Sequence, residues 1–197
     1  MASQKVADWG FLRDVASKVA PLLLGCLLER EIDGKTVRVR IVETEAYDQT
    51  DLASHSYKGE TPRSKVMFGP AGHLYVYFNY GMHYCCNVVI GEVGFGAAVL
   101  IRAVEPVNDM STDAMRQYRP QATSNRNISN GPAKLCQALQ INTDLNGHNL
   151  QNSPLRLLRA EPVPSAQIIQ TQRIGISRAK EVPWRFYIKD NTFVSKP

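Results

Sequence analysis

From Lys35 onward the chain alternates: Val37, Val39 and Ile41 recur at every second position, with Arg38 and Arg40 between them. A period of two predicts a strand with one buried face over Lys35 to Tyr47. Glu43, Glu45 and Tyr47 continue the row that the valines begin, whereas Val42 and Thr44 fall with the arginines. The expectation is one unbroken core-facing row ending in Glu45 and Tyr47. A carboxylate carried from the end of a buried face into a cleft is a candidate for catalysis. Asp33-Gly34 is a two-residue turn signal, so Cys26 to Ile32 is expected to pair back as the first arm of a hairpin. Ahead of it, Asp14 can cap a short helix from Val15, which Pro21 must kink or end before Gly25.

Asp48 to Gly72 reads as loop, broken by Gly59, Pro62, Gly69, Pro70 and Gly72. Leu74 to Asn79 and Met82 to Ile90 form a second predicted hairpin, and Ala97 to Val104 a further apolar strand. A helix fits Asp109 to Tyr118, followed by a polar loop from Pro120 to Asn130. Gly131-Pro132 starts another helix, whose apolar stripe is Leu135, Ala138 and Leu139. Short strands are expected near Leu155 to Arg159, Arg173 to Ile176 and Arg185 to Lys189, which makes the chain α+β.

The second hairpin carries five aromatic rings between Tyr75 and Tyr84, and four of them are tyrosines. A buried tyrosine hydroxyl must find a partner or cost stability, so a plain core hairpin has little use for four. Rings on strands around a glycine turn supply a stacking pocket and a wedge, which are the tools for handling a nucleobase.

Length and composition narrow the class. With 197 residues, 44% of them hydrophobic and 21% charged, the chain suits one globular domain over 1–197. Pro21, Gly25 and Glu29 break up the stretch from Val19 to Leu28, so no membrane-spanning run is expected. The first residues lack a signal-like leader, and the protein is expected to stay where it is made. Cys26, Cys85, Cys86 and Cys136 show neither metal-ligand spacing nor a disulfide framework, and are read as reduced, packed thiols. No serine-nucleophile pattern stands out. Twenty-three Lys and Arg against 18 Asp and Glu give +5, which favours a polyanionic partner without requiring one. Lys58, Arg63 and Lys65 cluster in one loop, and Arg116, Arg119, Arg126 and Lys134 punctuate another region; a solvated basic face is the plain alternative. Singly, the polar candidates have ordinary uses: strand glutamates are mostly ion-paired, and residues such as Asn87 and Arg102 mostly satisfy hydrogen bonds.

The segments Ile41-Val42-Glu43-Thr44-Glu45-Ala46-Tyr47, Ala53-Ser54-His55-Ser56, Thr61-Pro62-Arg63, Gly72-His73-Leu74-Tyr75-Val76-Tyr77 and Tyr80-Gly81-Met82 change the weighing. With Leu100-Ile101-Arg102-Ala103-Val104-Glu105-Pro106 and Asn130-Gly131-Pro132-Ala133-Lys134-Leu135, in this order, the chain resembles the alkyladenine (3-methyladenine) DNA glycosylase family. The resemblance implies a single α+β domain with a mostly antiparallel curved sheet, surrounding helices and a protruding aromatic hairpin. It implies an enzyme that flips a damaged purine from duplex DNA and hydrolyses its N-glycosidic bond. On matching positions, Glu45 is the implied general base for water, and Arg102 helps to hold it. Tyr47, His55 and Tyr77 enclose the flipped base, and Asn87 at the pocket floor rejects the amino group of guanine. Tyr80 fills the gap in the duplex, and Met82, Arg63, Lys65, Gly131 and Lys134 are implied DNA contacts. No metal or organic cofactor and no membrane are implied; the expected partner is double-stranded DNA containing damaged purines, and the expected state is an intracellular bacterial monomer. The chain departs from the pattern in a shorter loop between Tyr47 and His55, and in His83 where an aromatic ring is expected.

Electron-rich tyrosine faces favour a cationic, alkylated base, by roughly 0.5 to 2 kcal/mol per contact. A neutral lesion instead needs protonation before it leaves. Two rival functions remain at this stage: a non-enzymatic DNA-distortion binder using the same hairpin, and a nucleoside or RNA-directed hydrolase of the same bond. A buried Glu45 speaks against the binder, because a carboxylate near anionic DNA gains it nothing.

Overall fold

The computed structural model describes residues 9–79 and 81–196. Among them an eight-stranded antiparallel sheet curls around one large core, with three α-helices packed on it. The first hairpin pairs β1 (Leu27–Ile32) with β2 (Lys35–Asp48), and the turn residues Asp33 and Gly34 take φ of 48° and 73°. Two successive left-handed residues match the right-handed twist of the flanking strands, which is why Asp-Gly suits this position. The second hairpin pairs β3 (Leu74–Asn79) with β4 (His83–Val89), from Leu74 opposite Val88 to Asn79 opposite His83. Its tip residue Tyr80 lies outside the described residues.

The sheet runs β3-β4-β5-β2-β1-β6, where β5 is Ala97–Pro106 and β6 is Leu155–Leu158. A side branch is formed by β7 (Ile168–Thr171) and β8 (Arg185–Ile188), with β8 pairing to β2. The expected strand at Arg173 to Ile176 is therefore corrected: the strand lies earlier, at Ile168–Thr171. Gly175 takes φ of 76°, and the backbone N–H of Ile174 is turned to Glu45 instead of a strand neighbour.

Helix α1 (Ala16–Leu22) contains Pro21 in its last turn and ends at the next residue. Its N-cap is Val15, whose backbone N–H donates to Asp14 Oδ1 at 2.7 Å, so Asp14 sits one position outside the expected cap. Helix α2 (Asp109–Tyr118) begins where the sequence places it, with Asn108 accepting from the Ser111 N–H. Helix α3 (Pro132–Ala138) starts at Gly131-Pro132 and buries Leu135, Cys136 and Ala138. α1 and α2 pack on β2, and α3 packs on β4 and β5.

The unbroken row expected along β2 does not form. The pairing of β2 with β5 slips between Ile41 and Thr44, a bulge that changes which residues face the core. Val37, Val39 and Ile41 enter the main core, but so do Val42 and Ala46, and the Thr44 hydroxyl donates to Ala20 O in α1 at 2.9 Å. Glu43, Glu45 and Tyr47 are thereby turned to the opposite side. The bulge lets the second half of the strand turn Val42 and Ala46 to the core and Glu45 and Tyr47 to a polar cleft.

Candidate active site

The cleft is a cavity of about 520 Å³. Its floor follows from strand register: Tyr75 lies opposite Asn87, Asn87 opposite Leu100, and Leu100 opposite Glu45, so one row crosses β3, β4, β5 and β2. Tyr77, Cys85 and Arg102 line the same cavity from adjacent positions. His55, from the loop after β2, and the segment Ile174 to Arg178 close its sides. Cys85 faces the cavity and Cys86 the core, as adjacent strand residues must.

Glu45 has no exposed surface and each of its oxygens has a donor. Tyr47 donates to Oε2 at 2.7 Å, and the Ile174 N–H donates to Oε1 at 2.7 Å. Arg102 Nη1 stands 3.3 Å from Oε1. A buried carboxylate so held is oriented as well as compensated for lost water. Arg102 is itself gripped from the other side, where its Nε donates to Glu43 Oε1 at 3.1 Å. Glu43 also accepts from Arg185 Nε at 2.7 Å and from the Ser195 N–H and hydroxyl at 2.7 and 2.9 Å. Burial works against the Arg102 charge, but Glu45 and Glu43 outweigh it and raise its pKa.

The aromatic wall is built around His55. Its Nδ1 lies 3.0 Å from the Tyr75 hydroxyl, and its ring meets Tyr77 edge-on with centroids 4.6 Å apart. Burial, aided by Arg63, pulls the His55 pKa down to about 4, so the ring is neutral at physiological pH. Burial, then the neighbouring Glu45, pushes the Tyr47 hydroxyl well above its usual range and keeps it a donor. Burial raises Tyr77 similarly and pushes the Cys85 thiol up to about 11. Asn87 Nδ2 donates to Tyr75 O at 3.0 Å, which fixes the amide on the cavity floor.

Of the expected site residues, Glu45, Tyr47, His55, Tyr77, Asn87 and Arg102 come together in this cavity. Others stand apart. Arg63 lies outside it, over the Tyr77 ring, and Lys65 is exposed at the start of the short 3-10 helix Lys65–Phe68. Met82 is 68% exposed beside the hairpin tip. Gly131 precedes Pro132, which does reach the cavity, while Lys134 donates to Asn130 Oδ1 at 2.6 Å and Asn127 Oδ1 at 3.3 Å. Sequence reasoning missed Glu43 and Tyr75, although each is two positions from a named residue and period two could have found them. It also missed Ile174 and the pair Arg173 with Asp51. Arg173 Nη2 donates to Asp51 Oδ1 at 2.9 Å, Nη1 donates to Oδ2, and the guanidinium lies over the Tyr47 ring. No spacing signals these, because they are joined only by the folded chain.

Among the described residues no group of three or more His, Cys, Asp or Glu side chains is placed to hold a metal ion, and no helix is long and apolar enough to cross a membrane. The arrangement offers a fixed carboxylate in the lining of an aromatic chamber with room for a nucleobase.

A family model described as methylpurine-DNA glycosylase matches residues 10–192. A protein of Carboxydothermus hydrogenoformans is 51% identical over 187 residues, covering 94% of this chain and 96% of its own. One from Methanoculleus marisnigri is 49% identical over 181 residues, and one from Francisella tularensis 48% over 180, each covering 90% of this chain and 92% of its own. All three bear the name "Putative 3-methyladenine DNA glycosylase".

Proposed function

The chain belongs to the methylpurine-DNA glycosylase family, and from that premise we propose that it is a monofunctional glycosylase releasing alkylated and deaminated purines from duplex DNA inside the cell, acting as a monomer. The observation that carries this reading is Glu45: a fully buried carboxylate, held by two hydrogen-bond donors and the Arg102 guanidinium, that lines a chamber walled by tyrosines.

In this reading Glu45 accepts a proton from a water molecule as that water attacks C1′ of the flipped nucleotide, and the bond to the purine breaks. Arg102, the Ile174 N–H and Tyr47 fix the carboxylate, so little reorganisation accompanies proton transfer. Tyr47, His55 and Tyr77 stack against or edge the base, and Asn87 screens its amino substituents. An alkylated purine already carries a positive charge that weakens its glycosidic bond, so a base and a well-formed pocket suffice. Among the described residues no lysine lines the cavity, which supports hydrolysis over a Schiff-base step with strand cleavage. Tyr80, outside the described residues, is proposed as the wedge in the duplex, with the exposed Met82 beside it. Arg63, Lys65, Lys134 and the backbone at Gly131 are proposed phosphate contacts.

The test is incubation with duplexes that each carry one lesion: 3-methyladenine, 7-methylguanine, hypoxanthine or ethenoadenine. Release of free base, leaving a strand that breaks only after alkali, is expected. Tight binding with no base released would make the protein a distortion binder, and breakage without alkali would make it a lyase.

A further inference from the structure

The cavity grades from a buried floor to an exposed rim. Glu45, Asn87 and Arg102 are buried, whereas Gly175, Ser177 and Arg178 line the same cavity and are exposed. Glu45 and Arg102 offset each other's charge at 3.3 Å, and burial keeps His55 neutral. Among the described residues Arg178 has no ion-pair or hydrogen-bond partner, which makes it the uncompensated positive charge of the lining.

The segment that carries this rim is fastened at both ends and open between them. At one end the Ile174 N–H donates to Glu45 Oε1 at 2.7 Å. Arg173, paired with Asp51, also donates through Nη2 to the carbonyl of Ala179 at 3.4 Å, which closes the loop at the other end. Between these ties the N–H groups of Gly175, Ile176 and Ser177 meet no acceptor among the described residues. Gly175 takes φ of 76°, and nothing stands within 4 Å of where a Cβ would lie, so its backbone is open to close approach. A guanidinium, a serine hydroxyl and unclaimed N–H groups on one exposed loop are a donor set suited to a phosphate.

We infer that Gly175, Ser177 and Arg178 form a binding site for a phosphodiester adjoining the flipped nucleotide, with the Arg178 guanidinium as its main contact. The inference rests on the glycosylase reading and deepens it. A nucleotide whose base lies among the tyrosines, with C1′ facing Glu45, leaves its flanking phosphates at the rim, where this loop stands. Because Ile174 of the same loop holds Glu45, a phosphate gripped at Arg178 fixes the sugar relative to the general base. A free nucleoside lacks that phosphate and is not positioned in this way.

The experiment is a double-substitution cycle between Arg178 and the phosphate. Single-turnover release and duplex affinity are measured for the wild type, Arg178→Ala and Arg178→Lys. Each is given a lesion duplex with native phosphates and two others, in which a neutral methylphosphonate replaces the phosphate 5′ or 3′ of the lesion. Arg178→Ala is expected to slow release from the native duplex about tenfold, the scale of one hydrogen bond to a charged group, and Arg178→Lys to slow it less. In the wild type one of the two methylphosphonates should cause a loss of similar size. In Arg178→Ala that same methylphosphonate should cost less than about twofold, because the contact is already gone. Losses that multiply at both phosphates, as a merely structural role for Arg178 would give, would overturn the inference. So would a wild type indifferent to both methylphosphonates, or an Arg178→Ala variant with wild-type rate and affinity. Release of no lesion by the wild type would instead overturn the glycosylase reading beneath it.

Discussion

The Tyr47 hydroxyl donates to Glu45 Oε2 at 2.7 Å, joining two residues that the alternation of β2 places on the same face. Burial and the carboxylate itself keep that phenol protonated, so it remains a donor to one Glu45 oxygen at physiological pH.

Tyr47→Phe should therefore keep the ring and lose the grip. Lesion-duplex affinity is expected to change little, while the rate of base release falls about tenfold, the scale of one hydrogen bond to a charged group. Comparing the single-turnover rate with the binding isotherm separates the two effects. An unaltered rate would show that the hydroxyl does not help to orient Glu45.

The Arg173 and Asp51 side chains are 0% and 2% exposed, and each leaves the other stranded if removed. Asp51→Ala should lower stability by about 3 to 5 kcal/mol, the usual cost of breaking a buried pair from one side. Release should slow as well, because Ile174, which donates to Glu45, follows Arg173 directly. Urea unfolding is the check, and a loss below about 1 kcal/mol would mean that the pair is not needed to anchor this segment.

His55 gives a pH prediction. Its pKa lies near 4 in the fold, against an ordinary 6.5, because burial disfavours the charged ring. The unfolded chain therefore binds more protons between those values. Its contribution to stability is fully present above 6.5 and is lost as pH falls toward and through 4. His55 as a residue is exposed to solvent, so its burial is partial and screening reduces the size of the effect. Following the imidazole signals by NMR from pH 8 down to 4 should show His55 still neutral at pH 6, and a midpoint near 6.5 would refute the assignment.

Much of this was legible in the chain, for local reasons. The Asp33-Gly34 turn, the α2 helix over Asp109–Tyr118 and the Gly131-Pro132 start of α3 are all dictated by neighbours in sequence. The six residues that converge on the cavity came from motif resemblance, and strand register explains why they meet. What the sequence hid is long-range. The bulge between Ile41 and Thr44 breaks an alternation that reads as continuous, and only pairing with β5 reveals it. Arg173 to Ile176 resembles a strand by composition, yet its side chains and amides are claimed by Asp51 and Glu45, more than a hundred residues away.

The most direct test is Glu45→Gln, measured for base release and for lesion-duplex binding on one preparation. The amide keeps the shape of the carboxylate and cannot accept the proton of water. Release is expected to vanish while affinity stays within about tenfold of the wild type. Turnover near the wild-type rate in that variant would contradict the role given to Glu45, and with it the mechanism built on this cavity.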